Sequence, residues 1–458
     1  MITNDSPFAI PAFRRLFLAQ VVALVGSGLA TVALALLAYD LAGGSAGLLL
    51  GQVLAIKMLA YVLVAPVIGG NAYRFSRKQV LVVLDLTRAL CVIGIFFVDA
   101  VWQVLVLVFL LSAVSAGFKP VFQATIPDIV TDEASYTRAL AYSRVAFDLE
   151  SLVSPAFAGL ALLFIAFDLL FVANGIAFLV SAILILVTQL PRAQRLGTED
   201  GVWADALFGV KAYLRTPRLR GLLCFYLGVA ALSAMVVVNT VVIVRDQMQL
   251  GEEAVAMALA AAGAGSMIVA LLVPRILNRI SERTLIAAGG LLAAPAMYSL
   301  SLGGDFVTLI AAWFVVGAGL SLVQTPTGRV VNRSAAPEDR PAYFAAQFSL
   351  SHACWMVLYP IVGVLGVVVG ISATAMIISA VVVSTTVVGL LLWRANDPVE
   401  LLHTHTTMEH AHPHVHDDHH EHAHRKGAGT THSHEHRHEV VMHEHAFVID
   451  RHHPQWPD

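Results

Sequence analysis

Eighteen of the nineteen histidines in this chain fall between His403 and His453. Many are spaced as His-x-His steps. These are His403/His405, His412/His414/His416, His422/His424, His432/His434/His436/His438 and His443/His445, with His419 and His420 side by side. Neutral imidazole is the commonest protein ligand for first-row divalent transition metals. A flexible tract of this kind offers about two to four nitrogens to Ni²⁺, Co²⁺, Zn²⁺ or Cu²⁺ without a fixed geometry, so it selects poorly and affinity alone favours Cu²⁺. From His403 onward there are nine carboxylates (Glu409, Asp417, Asp418, Glu421, Glu435, Glu439, Glu444, Asp450, Asp458) and four basic residues (Arg425, Lys426, Arg437, Arg451). With neutral imidazoles the balance is 4 − 9 = −5, which attracts cations. The imidazoles are mostly unprotonated at neutral pH and lose their ligand role in acid. A pH-sensitive polar tail with no metal role is the plainer alternative. The interspersed Glu, Asp, Arg and Val set the tract apart from a purification tag.

A second group of chemically capable residues lies inside apolar runs. Lys57, Asp148, Glu150 and His352 sit near the middle of such runs, and Asp85 and Arg88 near the start of another. An unpaired charge at membrane depth costs about 2.5–3.5 kcal/mol on insertion scales, so these positions mark ion pathways or pairs. Asp85 and Arg88 are three apart and share a helix face, which predicts a structural ion pair tying that helix to the nearby basic loop. Asp148 and Glu150 stand about 200° apart around a helix axis and cannot both face one point. Lys57 is the natural partner for one of them. Either the set is a neutralised structural pair, or one carboxylate binds a proton or cation in transit. His352, with Met356 one turn on, could offer nitrogen and sulfur donors, although a lone membrane histidine also serves as a packing residue. Asn174 and Asn239 are weaker candidates, since buried amides often just bridge helices.

The elements that must carry these residues follow from composition. The chain has 458 residues, 58% hydrophobic and 13% charged, with mean hydropathy +0.76. A soluble protein would carry about 25% charged residues. Apolar runs predict twelve transmembrane helices at 17–38, 46–68, 80–98, 102–122, 140–165, 168–190, 221–244, 254–273, 284–303, 305–325, 345–369 and 371–393. Each is long enough for a hydrocarbon core of about 30 Å. Alternate connections hold the Arg and Lys residues, which places those loops, both termini and the His tail in the cytoplasm of a multi-pass inner-membrane protein. The expected organisation is an N-terminal six-helix bundle (1–190), a basic cytoplasmic linker (191–220) with Trp203 and Tyr213 as interfacial anchors, a C-terminal six-helix bundle (221–396) and a tail (397–458). The tail lacks apolar periodicity and reads as disordered. Cys91, Cys224 and Cys354 lie far apart and form no disulfide framework or zinc site. No nucleotide-binding motif is present. Ala262-Gly263-Ala264-Gly265-Ser266 reads as a small-residue packing stripe. Transport would therefore draw on an ion gradient or run downhill.

The two halves echo each other. Gly69-Gly70-Asn71-Ala72-Tyr73-Arg74-Phe75-Ser76-Arg77-Lys78 follows span 2, and Pro274-Arg275-Ile276-Leu277-Asn278-Arg279-Ile280-Ser281-Glu282-Arg283 follows span 8. The first loop resembles the Gly-x-x-x-Asp-Arg-x-Gly-Arg-Arg signature of the major facilitator superfamily, with Tyr73 where Asp is usual and Ser76 where Gly is usual. Ser154-Pro155-Ala156-Phe157-Ala158-Gly159 is similar to the Gly-Pro-x-x-Gly element of its antiporters. Phe118-Lys119-Pro120 through Ile126-Pro127-Asp128 resembles the branch holding macrolide and enterobactin exporters. With the His tail added, the chain resembles bacterial nickel-resistance exporters of that superfamily.

The resemblance implies an all-α polytopic membrane protein of twelve helices in two six-helix pseudo-repeats, with a substrate site near the midplane between halves. It implies a transporter and not an enzyme, without a tightly bound cofactor. The first expectation is proton-coupled export of a divalent transition metal, nickel or cobalt before zinc, with the tail capturing or sensing metal. A second is export of a drug, siderophore or metal chelate, with the tail as buffer or sensor. A third is a membrane-anchored metal buffer. The expected partners are lipid, metal ions and protons, with no nucleic acid, and the expected state is a monomer.

Overall fold

In the computed structural model the described residues are 6–42, 46–191, 202–395, 400–405, 408–415, 431–438, 441–446 and 448–449. Side chains at 148–156 and in the tail strands lie outside that description. Inside a bilayer each backbone N–H and C=O must be satisfied within its own segment, so long apolar runs become helices. Six long helices come first: α1 (Pro11–Ala42), α2 (Ala46–Asn71), α3 (Arg77–Ile95), α4 (Val101–Ile129), α5 (Glu133–Ala161) and α6 (Asp168–Leu186). A short α7 (Val202–Arg215) precedes six more: α8 (Pro217–Val241), α9 (Glu252–Leu277), α10 (Glu282–Ser299), α11 (Phe306–Asn332), α12 (Arg340–Val368) and α13 (Ile371–Leu392). Among the described residues, nine helices are long and apolar enough to cross a membrane. The expected spans outside that set are α2, α3 and α5. Of α2, the stretch Ala55–Asn71 qualifies as a shorter apolar helix. Charge is the reason for the other two: α3 carries Arg77, Lys78, Asp85 and Arg88, and α5 carries Glu133, Arg138, Arg144, Asp148 and Glu150.

Helix ends are set by local chemistry. Ser76 accepts from the Gln79 N–H, and the Gln79 side chain accepts from the Ser76 N–H, a reciprocal cap that starts α3. Asp305 starts α11 in the same way through the Thr308 N–H, at 3.0 Å. Gly370, at φ +82°, makes the tight turn between α12 and α13.

Packing follows one pattern in both groups of six. In the first, α1 packs on α6, α2 on α4, and α3 on both α4 and α6. In the second, α8 packs on α13, α9 on α11, and α10 on both α11 and α13. The groups meet where α2 lies against α12 and α5 against α9. The small-residue stripe sits at the α9–α11 contact. A Cβ on Gly317 would lie 1.8 Å from the Ala262 carbonyl oxygen, and one on Gly265 would lie 2.0 Å from that of Phe314. Only hydrogen side chains fit there.

Two expectations about the segments outside the bundle are corrected. The linker is not merely a polar connection, because α7 packs against α2 and α12. Its Tyr213 is no interfacial anchor: it is fully buried and its hydroxyl donates to the Gln347 side-chain oxygen. Trp203 is exposed. The tail, read as disordered, forms strands in its described residues: β1 (Glu400–His405), β2 (Met408–Val415), β3 (Thr431–His438) and β4 (Val441–Ala446). Strand β1 pairs antiparallel with β4, and β2 with β3. The physical reason is in the spacing, since His-x-His is itself the two-residue period of a strand.

The register sorts the expected metal ligands into two groups. His410, His412 and His414 stand opposite His436, His434 and His432, and His403 stands opposite His443. His445 departs from the expected ladder of ligands, because its cross-strand neighbour is Leu401. The cause is the sequence of β1, where the position one period before His403 is Leu401 and not a third histidine. His405 likewise stands opposite Val441, and His438 opposite Met408. His416, His419, His420, His422 and His424 lie outside the described residues.

Candidate functional site

A cavity of about 710 Å³ lies between the two groups of helices. Its floor, toward the face that carries the basic loops, is made by Gln324 and Gly328 of α11 and by Phe344 and Gln347 of α12. It extends past Lys57 of α2 and Arg88 of α3 to the level of Val53, Ile95 and Val108. The charged side chains among its described lining are Lys57, Arg88, Lys119 and Arg144, and no carboxylate is among them. Asp148 and Glu150 ride on α5, but their side chains lie outside the description.

Rings surround Lys119, and rings or neutral groups are among the contacts of Lys57 and Arg144. Lys119 Nζ stands 5.4 Å from the Phe147 ring centre, 5.8 Å from that of Tyr61 and 6.0 Å from that of Phe348. Such contacts stabilise an ammonium through the ring quadrupole. Lys57 Nζ also lies 5.8 Å from the Tyr61 ring centre. Arg144 reaches across from α5 to the second group of helices and donates to Gln324 Oε1 at 2.6 Å and to Ser266 Oγ at 3.1 Å.

His352 does line this cavity. Its ring touches Phe348, Tyr61 and Trp355, with centres 4.0, 4.9 and 4.9 Å away. Nδ1 is 2.7 Å from the Phe348 carbonyl oxygen. A carbonyl can only accept, so Nδ1 carries the hydrogen and, in the neutral ring, Nε2 is left as an acceptor. Met356 is absent from the described lining, so the nitrogen–sulfur pair is not assembled there. Among the described residues no group of three or more His, Cys, Asp or Glu is arranged to hold a metal ion. The tail histidines from His403 to His445 enter only through their strand register, which brings His403 and His443 together across β1 and β4 and leaves His445 beside Leu401.

Asp85 and Arg88 form a buried ion pair, but its surroundings differ from expectation. Ser181 of α6 donates to the second Asp85 oxygen at 2.7 Å. The guanidinium lies between Phe118 and Phe178, at 3.8 and 4.4 Å from their centres. The pair therefore ties α3 to α4 and α6 rather than to the basic loop. Asn174 lines the cavity. Asn239 donates to Met235 Sδ at 3.3 Å and sits where a Cβ on Gly366 would meet it, which is a helix-bridging role.

Below the floor, ion pairs draw the two groups of helices together. Asp128 of α4 accepts from Arg77 of α3 on one oxygen and from Arg340 of α12 on the other, the latter at 2.7 Å. Arg77 also reaches the Pro337 carbonyl at 3.0 Å. Arg329 of α11 pairs with Glu133 of α5 and, at 3.0 Å, with Glu282 of α10. It also donates to Thr137 Oγ1 at 2.6 Å, and Tyr136 donates to the Gly328 carbonyl at 3.1 Å. A Cβ on Gly69 would lie 2.2 Å from that of Ala345, so α2 and α12 touch closely at this face. The cavity is thus shut off from the basic face.

The Major Facilitator Superfamily model matches residues 16–304 and 243–416. The chain belongs to that superfamily. An uncharacterized MFS-type transporter of Bacillus subtilis, YfiS, is 26% identical over 283 residues, which is 58% of this chain and 66% of the relative. Macrolide efflux protein A of Streptococcus pyogenes is 26% identical over 153 residues, covering 32% of this chain and 37% of the relative. The match spans less than two thirds of either relative. Among solved structures, the human organic anion transporter MFSD10 (TETRAN) superposes with a TM-score of 0.72 at 15% identity, covering 83% of this chain and 99% of that one. The transporter FucP in its outward conformation gives 0.63 at 16% identity, covering 84% and 99%. At these identities the likeness is one of fold.

The signature-like loop can now be placed in this superfamily member. Arg77 finds its acid in Asp128, on the next helix, although Tyr73 stands where the signature has Asp. Sequence reasoning singled out Lys57 and His352 for the transport path, and both line the cavity, as does Arg88, which it read only as a structural partner of Asp85. It missed Lys119 and Arg144 as lining residues. A visible signal existed for both: each is a lone cation inside an apolar run.

Proposed function

We propose that this protein is a secondary exporter of an organic anion, and that a negatively charged metal chelate is the class that also accounts for the His-rich tail. The carrying observation is the charge of the described lining: Lys57, Lys119 and Arg144, beside an Arg88 neutralised by Asp85, with no carboxylate among the described lining residues. A bare divalent ion about 6 Å from Lys119 would be opposed by roughly 5 kcal/mol at an effective dielectric near 20. The same lysine favours a carboxylate or hydroxamate, and the surrounding rings offer apolar area to an organic ligand. One relative named for macrolide efflux supports efflux.

In this reading α2, α3 and α5 complete twelve spans, and the matched packing of α1–α6 and α8–α13 reflects two pseudo-repeats. The basic face is cytoplasmic, in the inner membrane, with both termini on that side. Transport alternates between a state closed at the ion pairs of that face and one in which they part. Asp148 or Glu150 loads the coupling proton, with Lys57 of α2 as its counter-charge. The protein acts as a monomer.

Proton-coupled antiport of free nickel or cobalt is the second reading, favoured by the tail and by two carboxylates on α5. Proteoliposomes with an imposed pH gradient separate the two. Radiolabelled nickel citrate, free Ni²⁺ and erythromycin are offered in parallel. The chelate should move, and Lys119→Gln should weaken its apparent affinity about tenfold or more, the effect of one charged hydrogen bond. Movement of free Ni²⁺ with no movement of the chelate overturns the proposal.

A further inference from the structure

Ile449 lies at the far end of the polar tail, yet it is buried to 2% exposure. It belongs to the same apolar cluster as Tyr213, Leu219, Tyr343 and Trp393. The Tyr343 hydroxyl donates to the Ile449 carbonyl oxygen at 2.6 Å. The tail leaves the bundle at Trp393, whose carbonyl accepts from Arg283 at 2.5 Å. Both ends of the His-rich segment are therefore seated in one cluster at the basic face. The antiparallel pairing of β1 with β4 agrees with this, since it returns residue 446 to the level of residue 400.

We infer that the base of α12, with α7 and α8, is a docking site for the tail's own Val448–Ile449 segment, and that transition-metal loading of the tail releases it. The coupling half of this inference rests on the metal-binding reading of the tail, and the docking half does not. The driving force is charge. From His403 onward the apo tail carries −5. Where the tail leaves the bundle, Trp393 is flanked by Arg283, which donates to its carbonyl, and by Arg333, whose guanidinium lies 5.8 Å from its ring centre. Three bound divalent ions would change the balance to −5 + 6 = +1, replacing attraction to that face by repulsion. Release frees Tyr343 from its acceptor. Tyr343 adjoins Phe344 and lies one turn before Gln347, both in the cavity floor. Three residues before it is Arg340, which pairs with Asp128 across the two groups of helices. The clasp thus holds the part of α12 that has to move for the basic face to open, and metal loading favours opening.

The test uses the full chain in inside-out vesicles, with Cys91, Cys224 and Cys354 replaced by Ser. Labelling of Ile449→Cys by a membrane-impermeant maleimide is compared with labelling of Asp458→Cys. Without metal, position 449 should react about tenfold or more slowly, as burial of its side chain requires. Tyr343→Phe, which keeps the ring and removes the donor, should accelerate that reaction several-fold. Ni²⁺ should bring the two positions to similar rates, and calorimetry on the same full-length protein reads nickel binding directly. Equal rates without metal overturn the docking. Bound nickel with unchanged labelling overturns the coupling. Absence of nickel binding overturns the metal reading of the tail and the coupling with it.

Discussion

Arg340→Gln should shift this transporter toward the state open at its basic face. Arg340 is the α12 partner of Asp128, at 2.7 Å, and the two side chains are 17% and 10% exposed. The substitution leaves Asp128 bound to Arg77 within the first group of helices, so it removes the cross-link without stranding a buried carboxylate. A charge-assisted hydrogen bond in such surroundings contributes about 1.5–3 kcal/mol. The bond exists only while α4 and α12 are together, so its loss enters the equilibrium between states in full. That is roughly a tenfold to hundredfold change in the ratio of open to closed. Ser351→Cys, in the cavity wall, reports it when the native cysteines are replaced. A maleimide applied from the basic face reaches this position only when the floor parts, so its labelling rate should rise by the same factor. Asp128→Asn added to Arg340→Gln should give less than the sum of the single effects, because both act on one link. Labelling by Arg340→Gln at the wild-type rate would refute the assignment of this ion pair to the closed state.

Gly317→Val should destabilise the protein, because its Cβ would lie 1.8 Å from the Ala262 carbonyl oxygen. Overpacking costs about 1–3 kcal/mol and more against backbone, so the apparent melting temperature in detergent should fall by about 5 °C or more. Gly363→Ala, whose Cβ would meet Val238 at an ordinary 3.5 Å, should change it little, and equal effects would refute the packing argument. Acid sensitivity should come in part from the helix caps. The N–H groups of Ser135 and Thr308 hold the Asp132 and Asp305 carboxyls below their ordinary value of 3.8. Because the folded-state value is the depressed one, the caps are fully effective above about pH 4 and are lost as pH falls through the lower folded value. Asp132→Asn with Asp305→Asn should therefore flatten the fall in melting temperature between about pH 4 and 3, and leave it unchanged from 7 to 5.

The long apolar helices were legible in the sequence because hydrocarbon permits few alternatives to a helix. The helices hardest to read by hydropathy, α3 and α5, are those with several charged residues inside an apolar run. Lys57, Arg88 and His352 were found because charge and imidazole are conspicuous in apolar runs. Their cavity partners were less visible: nothing in a linear pattern places Phe147, Tyr61 and Phe348 from three helices around Lys119. Tyr213 was misread because aromatic residues beside basic ones usually mark an interface, whereas here its ring is buried by the packing of α7 on α12. The tail's His-x-His spacing was read for its ligands and not for its period of two. Spacing along the chain makes His443 and His445 equivalent, and only the cross-strand register separates them, with His403 opposite the first and Leu401 opposite the second. The tail's return to the bundle was signalled by Ala446-Phe447-Val448-Ile449, an apolar run of four in a polar segment.

The charges of this molecule are sorted by place, and the sorting constrains what it can carry. Within the described bundle, Asp85 is bound to Arg88, Asp128 to Arg77 and Arg340, and Glu282 to Arg329 and Arg333. These carboxylates hold helices to one another, and none lines the cavity, whose described charges are all positive. The tail has the opposite sign, −5 before metal binds. A bare divalent ion is attracted by the tail and opposed by the described cavity cations, which under the proposed function gives the two sites different cargoes. Under the proposed function, an organic ligand must first surround the metal and reverse its sign before it enters the cavity. The tail then responds to the free ion, and the cavity accepts the complexed one. A cell with excess metal would raise both signals together, which gives a reason for one chain to contain both sites.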